Sequence, residues 1–269
     1  MFVGIGTILN DRIPSAKCTV VLGAGLGYGK PPQINADWRV YGVRGPATAQ
    51  VLRLNFNLVL TDPAILLPLV LGADAPPMLY EASFMPHHAS KRLGNWRAIC
   101  EQAGVHYLDP AQDIQDLVNE MRASQRVICE AMHGAIVADA YRIPWVPVVC
   151  YDHILPFKWV DWCKSLSLEY QPVQLPCIYN VRTNVSFTKK IKSEGKRMLR
   201  SADIAPKRWS PPLPRMTGAS EEALAVSQLA QLRTQGTVYL SSNEAHEQAL
   251  ARVQGALARL QEDLAAGRV

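Results

Sequence analysis

The sequence predicts an α/β protein: two consecutive sets of strands and helices, followed by a helical C-terminal extension. Through residues 1–170, short apolar runs alternate with glycine turns and with stretches of helical periodicity. A proline-containing stretch at residues 73–77 divides this alternation in two. The chain has 269 residues, enough to build two cores. The units read from these signals are residues 1–75, 76–170 and 171–269.

In the first unit, residues 2–5, 19–22, 39–43 and 58–60 read as strands, and residues 48–54 as a helix after the third of them. In the second, residues 79–85 are strand-like, and residues 93–103 are helical with Trp96, Ile99, Cys100 and Ala103 on one face. Residues 106–108 read as a strand, and 114–121 as a helix whose start is marked by Asp109-Pro110. The stretch RVICEAMHGAIVADAYRIPWVPV, residues 126–148, opens a βαβ unit: a strand at 126–129, a helix at 135–141 and a strand at 145–149. Residues 158–166 read as another helix. In the extension, residues 207–214 are proline-rich and read as a linker or a surface crossing, and residues 221–233 and 245–264 read as helices. In the last, Leu250, Val253, Leu257, Leu260 and Leu264 form a stripe expected to dock on a core or a partner subunit.

Hydrophobic residues at 48% and charged residues at 19% describe an ordinary globular protein, not a disordered or fibrous one. The six cysteines form no C-x-x-C pair, so free thiols in a reducing compartment are expected. No signal-peptide pattern opens the chain. The longest apolar run, residues 64–71, contains Pro68 and falls short of the roughly 20 residues that span a bilayer. The expected location is the cytosol. The net charge of +5 concentrates at residues 189–208, where Lys189, Lys190, Lys192, Lys196, Arg197, Arg200, Lys207 and Arg208 face only Glu194 and Asp203. Such a segment is either a solvated helix face or a surface for phosphate or an anionic membrane. Few aromatics interleave it, which argues against nucleic acid.

The glycine cluster LGAGLGYGK, residues 22–30, is neither a P-loop nor a dinucleotide turn. A P-loop needs glycine and Ser/Thr where this chain has Ala24 and Pro31. Pro31-Pro32 cannot continue the helix that a dinucleotide turn opens. The cluster reads as bare backbone brought close to a ligand or a neighbouring unit. Arg44 closes a strand, where it either takes an anion bidentately or caps a loop. His87 and His88, with Lys91 nearby, suit a phosphate; adjacent side chains diverge in an extended chain, so only one of the two is expected to face a given ligand. No further ligands at zinc spacing accompany them. His133, before Gly134 at a strand-helix joint, is either a structural histidine or an acid-base group beside an anion site. Asp139 is either a support for the site or an exposed helix residue, and Asp152-His153 is an alternative acid-base pair.

Taken in order, VGIGTILN (residues 3–10), VYGVRGPATAQVL (40–52), TDPAILL (61–67), FMPHHAS (84–90) and ICEAMHGAIVADAYRIPWV (128–146) resemble the polysaccharide pyruvyl transferase family, in particular its succinoglycan-type exopolysaccharide branch. The resemblance implies two Rossmann-like domains in a GT-B-like arrangement with the ligand cleft between them. It implies transfer of the enolpyruvyl carbons of phosphoenolpyruvate to a sugar of a bacterial exopolysaccharide or its lipid-linked precursor. The product is a pyruvate ketal, phosphate is released, and neither metal nor organic cofactor is required. His133 matches the general acid and Arg44 the arginine that holds the donor, with Glu130, Met132 and Gly134 around the acid and His87 or His88 as phosphate or sugar contacts. Many family members carry an arginine shortly before the histidine, where this chain reads Glu130-Ala131-Met132. Lys91, Arg92 or a backbone nest is the expected substitute for its charge. Family members also open with a strand and an Asn-x-Gly-Asp motif, whereas this chain starts at Met1-Phe2-Val3, so the first α/β unit is expected to be missing. The basic segment would touch the inner face of the membrane that carries the acceptor.

Two other readings stay open. A GT-B glycosyltransferase using a nucleotide sugar would show an E-x7-E pair in retaining members, but Ala138 stands eight positions after Glu130. A truncated, inactive paralogue would act as a binding protein.

Overall fold

The computed structural model describes residues 1–74, 76–180, 192 and 216–269. The proline-rich stretch at 207–214 and all of the basic segment except Lys192 lie outside the described residues. The fold is α/β with parallel sheets. Strands β1 (Phe2–Val3), β2 (Thr19–Leu22) and β3 (Trp38–Gly42) form the first sheet in that order. A strand expected at residues 58–60 is reduced to one parallel bridge, Val43 to Val59. Asn55 caps a 3-10 turn, Phe56–Leu58, and accepts from the Asn57 amide at 3.0 Å, which takes those residues out of extended geometry. Helix α1 (Pro46–Val51) opens on a proline, whose missing N–H costs nothing in a first turn.

Strands β4 (Ser83–Met85), β5 (His106–Tyr107), β6 (Val127–Cys129), β7 (Trp145–Val149) and β8 (Val173–Gln174) form the second sheet, in the order β5-β4-β6-β7-β8. All its pairs are parallel. A 3-10 turn, Pro63–Leu66, and helix α2 (Leu67–Leu71) lead from the first sheet toward it. Helix α3 (Trp96–Ala103) buries the four residues expected from periodicity and ends on Gly104 in the left-handed region. Helix α4 (Ile114–Arg122) starts at Asp113, whose carboxylate accepts from the Gln115 amide at 2.8 Å, and not at Asp109-Pro110.

Helix α5 (Met132–Ala140) begins three residues earlier than the sequence suggests, so Met132, His133 and Gly134 form its first turn instead of a joint before it. It is apolar on nearly every side and is buried accordingly, against β6, β7 and the 3-10 turn at Pro63–Leu66. Helix α6 (Pro156–Ser165) packs on α1, and Trp159 and Trp162 stack around Trp145 at centroid distances of 6.2 and 5.3 Å.

The C-terminal helices α7 (Ala219–Thr234) and α8 (Asn243–Ala265) cover the two units. Helix α7 lies on α3, and α8 lies on β3. Ala249, Val253, Ala256 and Leu260 are the buried face of α8, with Leu250 and Leu257 half-buried beside them. Leu264, expected in the stripe, is exposed, because the helix runs past the core there. Asp139 is buried, not exposed: it accepts from Trp145 Nε1 (3.0 Å), from the Ser241 amide (2.9 Å) and from Ser241 Oγ (2.5 Å), which ties the start of α8 to α5. One apolar cluster runs from Val20 and Leu22 through Leu60 and Ile65 to α5, α6 and α8. All six cysteines are free. Among the described residues no helix is long and apolar enough to cross a membrane.

Candidate active site

A cavity of about 560 Å³ opens at the carboxyl ends of β4, β6 and β7, the customary place for ligands in parallel α/β sheets. Met85, His87, His88 and Ala89 enter it from β4, Ala131, Met132 and His133 from the end of β6 and the start of α5, and His153 and Lys158 from the segment after β7. Thr7 and Tyr28 face it from the loops of the first sheet. The chain turns at His88-Ala89 instead of running on extended, so both His87 and His88 line the cavity, with ring centroids 4.2 Å apart. His153 adds a third ring 5.2 Å from His87 and shares a hydrogen bond with Ser90 Oγ at 3.1 Å. Asp152 is exposed and makes no hydrogen bond to His153 among the described residues.

Burial and the neighbouring Lys158, His88, His153 and His133 push His87 down to about 3. Its Nδ1 accepts from the Ala89 amide at 3.3 Å, so the neutral ring carries its proton on Nε2 and is a donor. Burial and Lys158 also lower His153. Lys158 is 5% exposed, and burial lowers its own affinity for the proton. Among the described residues its ammonium has no carboxylate within ion-pairing distance; its hydrogen bond goes to the Tyr28 hydroxyl at 3.4 Å. His133 is about half exposed, and its Nε2 lies 3.7 Å from Oδ2 of the buried Asp62.

Behind the lining stand two buried carboxylates. Glu130 accepts from the His87 amide (2.9 Å) and the Cys150 amide (3.2 Å), and so ties the loops after β4 and β7 together. Burial raises its pKa. Asp161 on α6 takes Arg44 Nε at 3.2 Å and the Thr48 amide and hydroxyl at 2.9 and 2.7 Å. Arg44 gives its remaining bonds to Thr7 Oγ1 and the Leu26 carbonyl, both at 2.9 Å. The glycine cluster serves this arrangement: a Cβ on Gly25 would stand 2.3 Å from the Arg44 guanidinium carbon, and one on Gly27 would stand 2.2 Å from Thr7 Cγ2.

The model of the family described as polysaccharide pyruvyl transferase matches residues 8–153, more than half of the chain. The chain belongs to that family. The succinoglycan biosynthesis protein ExoV of Rhizobium meliloti (strain 1021) is 38% identical over 184 residues, 65% of this chain and 57% of the relative. An uncharacterized protein of Acanthamoeba polyphaga mimivirus is 29% identical over 196 residues, 69% of this chain and 66% of the relative. The chain therefore spans less than two thirds of the length of each. No solved structure matches significantly. The match encloses His87, His88, His133 and His153, while Thr7 and Lys158 lie just outside it.

Of the residues singled out in the sequence, His133, His87, His88, Met132 and His153 come together in the cavity of this family member. Four others stand elsewhere. Arg44 is fully buried, with its guanidinium committed to Asp161, Thr7 and Leu26, so it shapes the wall and does not line it. Lys91 is held by Asp109 at 2.5 Å. Glu130 is fully buried and engaged with backbone amides. Gly134 lies buried in the first turn of α5, outside the cavity lining, where a Cβ would stand 2.7 Å from Met85 Sδ. Sequence reasoning missed Lys158, Tyr28, Thr7 and Asp62. Asp62 alone had a local signal, since Asp before Pro-Ala opens a capped turn. Among the described residues no group of three or more His, Cys, Asp or Glu is placed to hold a metal ion.

Proposed function

We propose that the protein transfers the enolpyruvyl carbons of phosphoenolpyruvate to two hydroxyls of a sugar, forming a pyruvate ketal during exopolysaccharide assembly. The observation that carries this reading is a buried ammonium, Lys158, without a carboxylate partner among the described residues, lining the same cavity as the half-exposed His133. An unpaired buried charge is costly, and an anionic ligand removes that cost. Lys158, with the Nε2–H of His87, is the donor's anchor in place of Arg44 and Lys91.

In this reading His133 gives its proton to the methylene carbon, and the π electrons of the C2=C3 bond form the new C–H bond. C2 becomes electrophilic, and a sugar hydroxyl attacks it; the hydroxyl proton returns to the imidazole. The C2–O bond to phosphate then breaks with its electron pair on the departing phosphate, a second hydroxyl bonds to C2 and closes the ketal, and that hydroxyl's proton leaves with the phosphate. The acceptor is a polymeric sugar or its lipid-linked precursor, consistent with the naming of the Rhizobium relative as a succinoglycan biosynthesis protein. The two parallel sheets would act as the two halves of a GT-B-like cleft, divided near residue 75. A peripheral contact of the basic segment with a membrane would bring the lipid-linked acceptor within reach.

The test is incubation with phosphoenolpyruvate and candidate acceptors, reading phosphate release and the ketal carbon. Acceptor-dependent release of phosphate, lost in His133→Ala, is the expected outcome. Turnover of a nucleotide sugar with none of phosphoenolpyruvate would overturn the proposal.

A further inference from the structure

Asp62 opens the 3-10 turn Pro63–Leu66, and its Oδ1 accepts from the Ala64 amide at 3.1 Å. Its Oδ2 is buried and has no hydrogen-bond partner among the described residues. A carboxylate oxygen so placed is normally satisfied, and leaving it bare is costly. The group facing it is Nε2 of His133, 3.7 Å away. That separation is too long for a hydrogen bond but closes to about 3.0 Å with a small rotation of the ring. Both partners sit on rigid supports: α5 packs on the turn that Asp62 caps, with Ala64, Ile65, Ala135 and Ile136 in one apolar cluster. Asp62 is itself 0% exposed and does not line the cavity, so it reaches the site only through His133.

We infer that Asp62 is a positioning residue: its buried carboxylate holds His133 with the proton on Nε2, which leaves Nδ1 as the nitrogen that meets the substrate. This rests on the reading of His133 as the general acid. A ring whose Nε2–H is donated to a carboxylate accepts and gives protons at Nδ1 alone. When Nδ1 is protonated, the buried carboxylate faces an imidazolium of opposite charge. As the proton leaves for the methylene carbon, the N–H electron pair stays on Nδ1, and the ring returns to its Nε2–H form. Asp62 acts on the ring alone, the arrangement known from orienting aspartates in catalytic triads.

The test uses Asp62→Asn, whose side-chain oxygen still caps the turn, and Asp62→Ser, also a capping residue, should the first variant fold poorly. Nitrogen-15 spectra of the histidine rings of the full chain need no donor, so they are independent of the transfer reading. The expected result is His133 protonated on Nε2 in the wild type, with loss of that preference in either variant. Under turnover, kcat should fall about 10²- to 10⁴-fold with the KM for phosphoenolpyruvate within about twofold. Combining Asp62→Asn with His133→Ala should be no worse than His133→Ala alone. An unchanged tautomer in the variants, or additive losses in the double variant, would overturn the inference. A wild type that shows the tautomer but turns over no phosphoenolpyruvate would overturn the transfer reading and leave the pairing standing.

Discussion

His87 shows what the cavity does to a single titratable group. Its ordinary value of 6.5 is brought down to about 3 by burial and by the surrounding cations. Between those values the unfolded chain binds a proton that the folded one does not, so stability falls as pH drops from 6.5 toward 3. The contribution is fully present above 6.5. Urea unfolding at a series of pH values should show this acid slope, and His87→Gln should flatten it. His153 shifts in the same direction. The histidines were legible in the sequence because each sits where a strand ends, at the margin of a motif. Lys158 was not. It lies in PFKWVDWCKS, where it reads as one polar residue of an amphipathic helix, and only the packing of α6 on α1 turns it into the cavity. Arg44 illustrates the converse: an arginine at a strand end looks the same whether it awaits an anion or pairs with an aspartate more than a hundred residues away.

At the scale of elements, α5 carries the site, and its first turn is the feature that sequence reasoning misplaced. Gly134 looks like a joint because glycine usually breaks a helix. Here it lies within the helix and allows α5 to approach Met85. Gly134→Ala is therefore expected to push the flexible end of Met85 into the cavity. The helix-propensity gain of about 1 kcal/mol offsets the crowding, so the melting temperature should move little. Donor binding should weaken about tenfold, and calorimetric titration of the variant checks this. The strands and most helices were legible from periodicity alone; α3 buries the face expected of it. The strand at residues 58–60 failed because the Asn55 cap is a local preference that competes with β pairing.

At the scale of the molecule, the parts read as separate in the sequence are joined by α6 and α8. Helix α6 follows the last long strand of the second sheet yet packs on α1, and its Asp161 closes the buried pair with Arg44. Arg44→Met would leave Asp161 as an uncompensated buried charge. A loss of about 3–5 kcal/mol is expected. Arg44→Lys should not restore it, because a lysine cannot reproduce the bonds to Asp161, Thr7 and Leu26 together. Urea unfolding followed by tryptophan fluorescence reads both. None of this joining was visible in the order of motifs, since contacts across the chain leave no local spacing.

On the proposed function, the cavity between β4, β6, β7 and the first-sheet loops takes an anionic enolpyruvyl donor on Lys158. Calorimetric titration of phosphoenolpyruvate into the wild type, Lys158→Met and His133→Ala tests it most directly. Removing one charge-assisted contact of about 2 kcal/mol should weaken binding about 30-fold in Lys158→Met. Lys158→Met should fold at least as stably as the wild type, because a thioether replaces an ammonium that has no carboxylate partner among the described residues. His133→Ala should bind within about threefold of the wild type, because its proton is used in the transition state and not in holding the donor. Wild-type affinity in Lys158→Met would show that the donor is not held by Lys158.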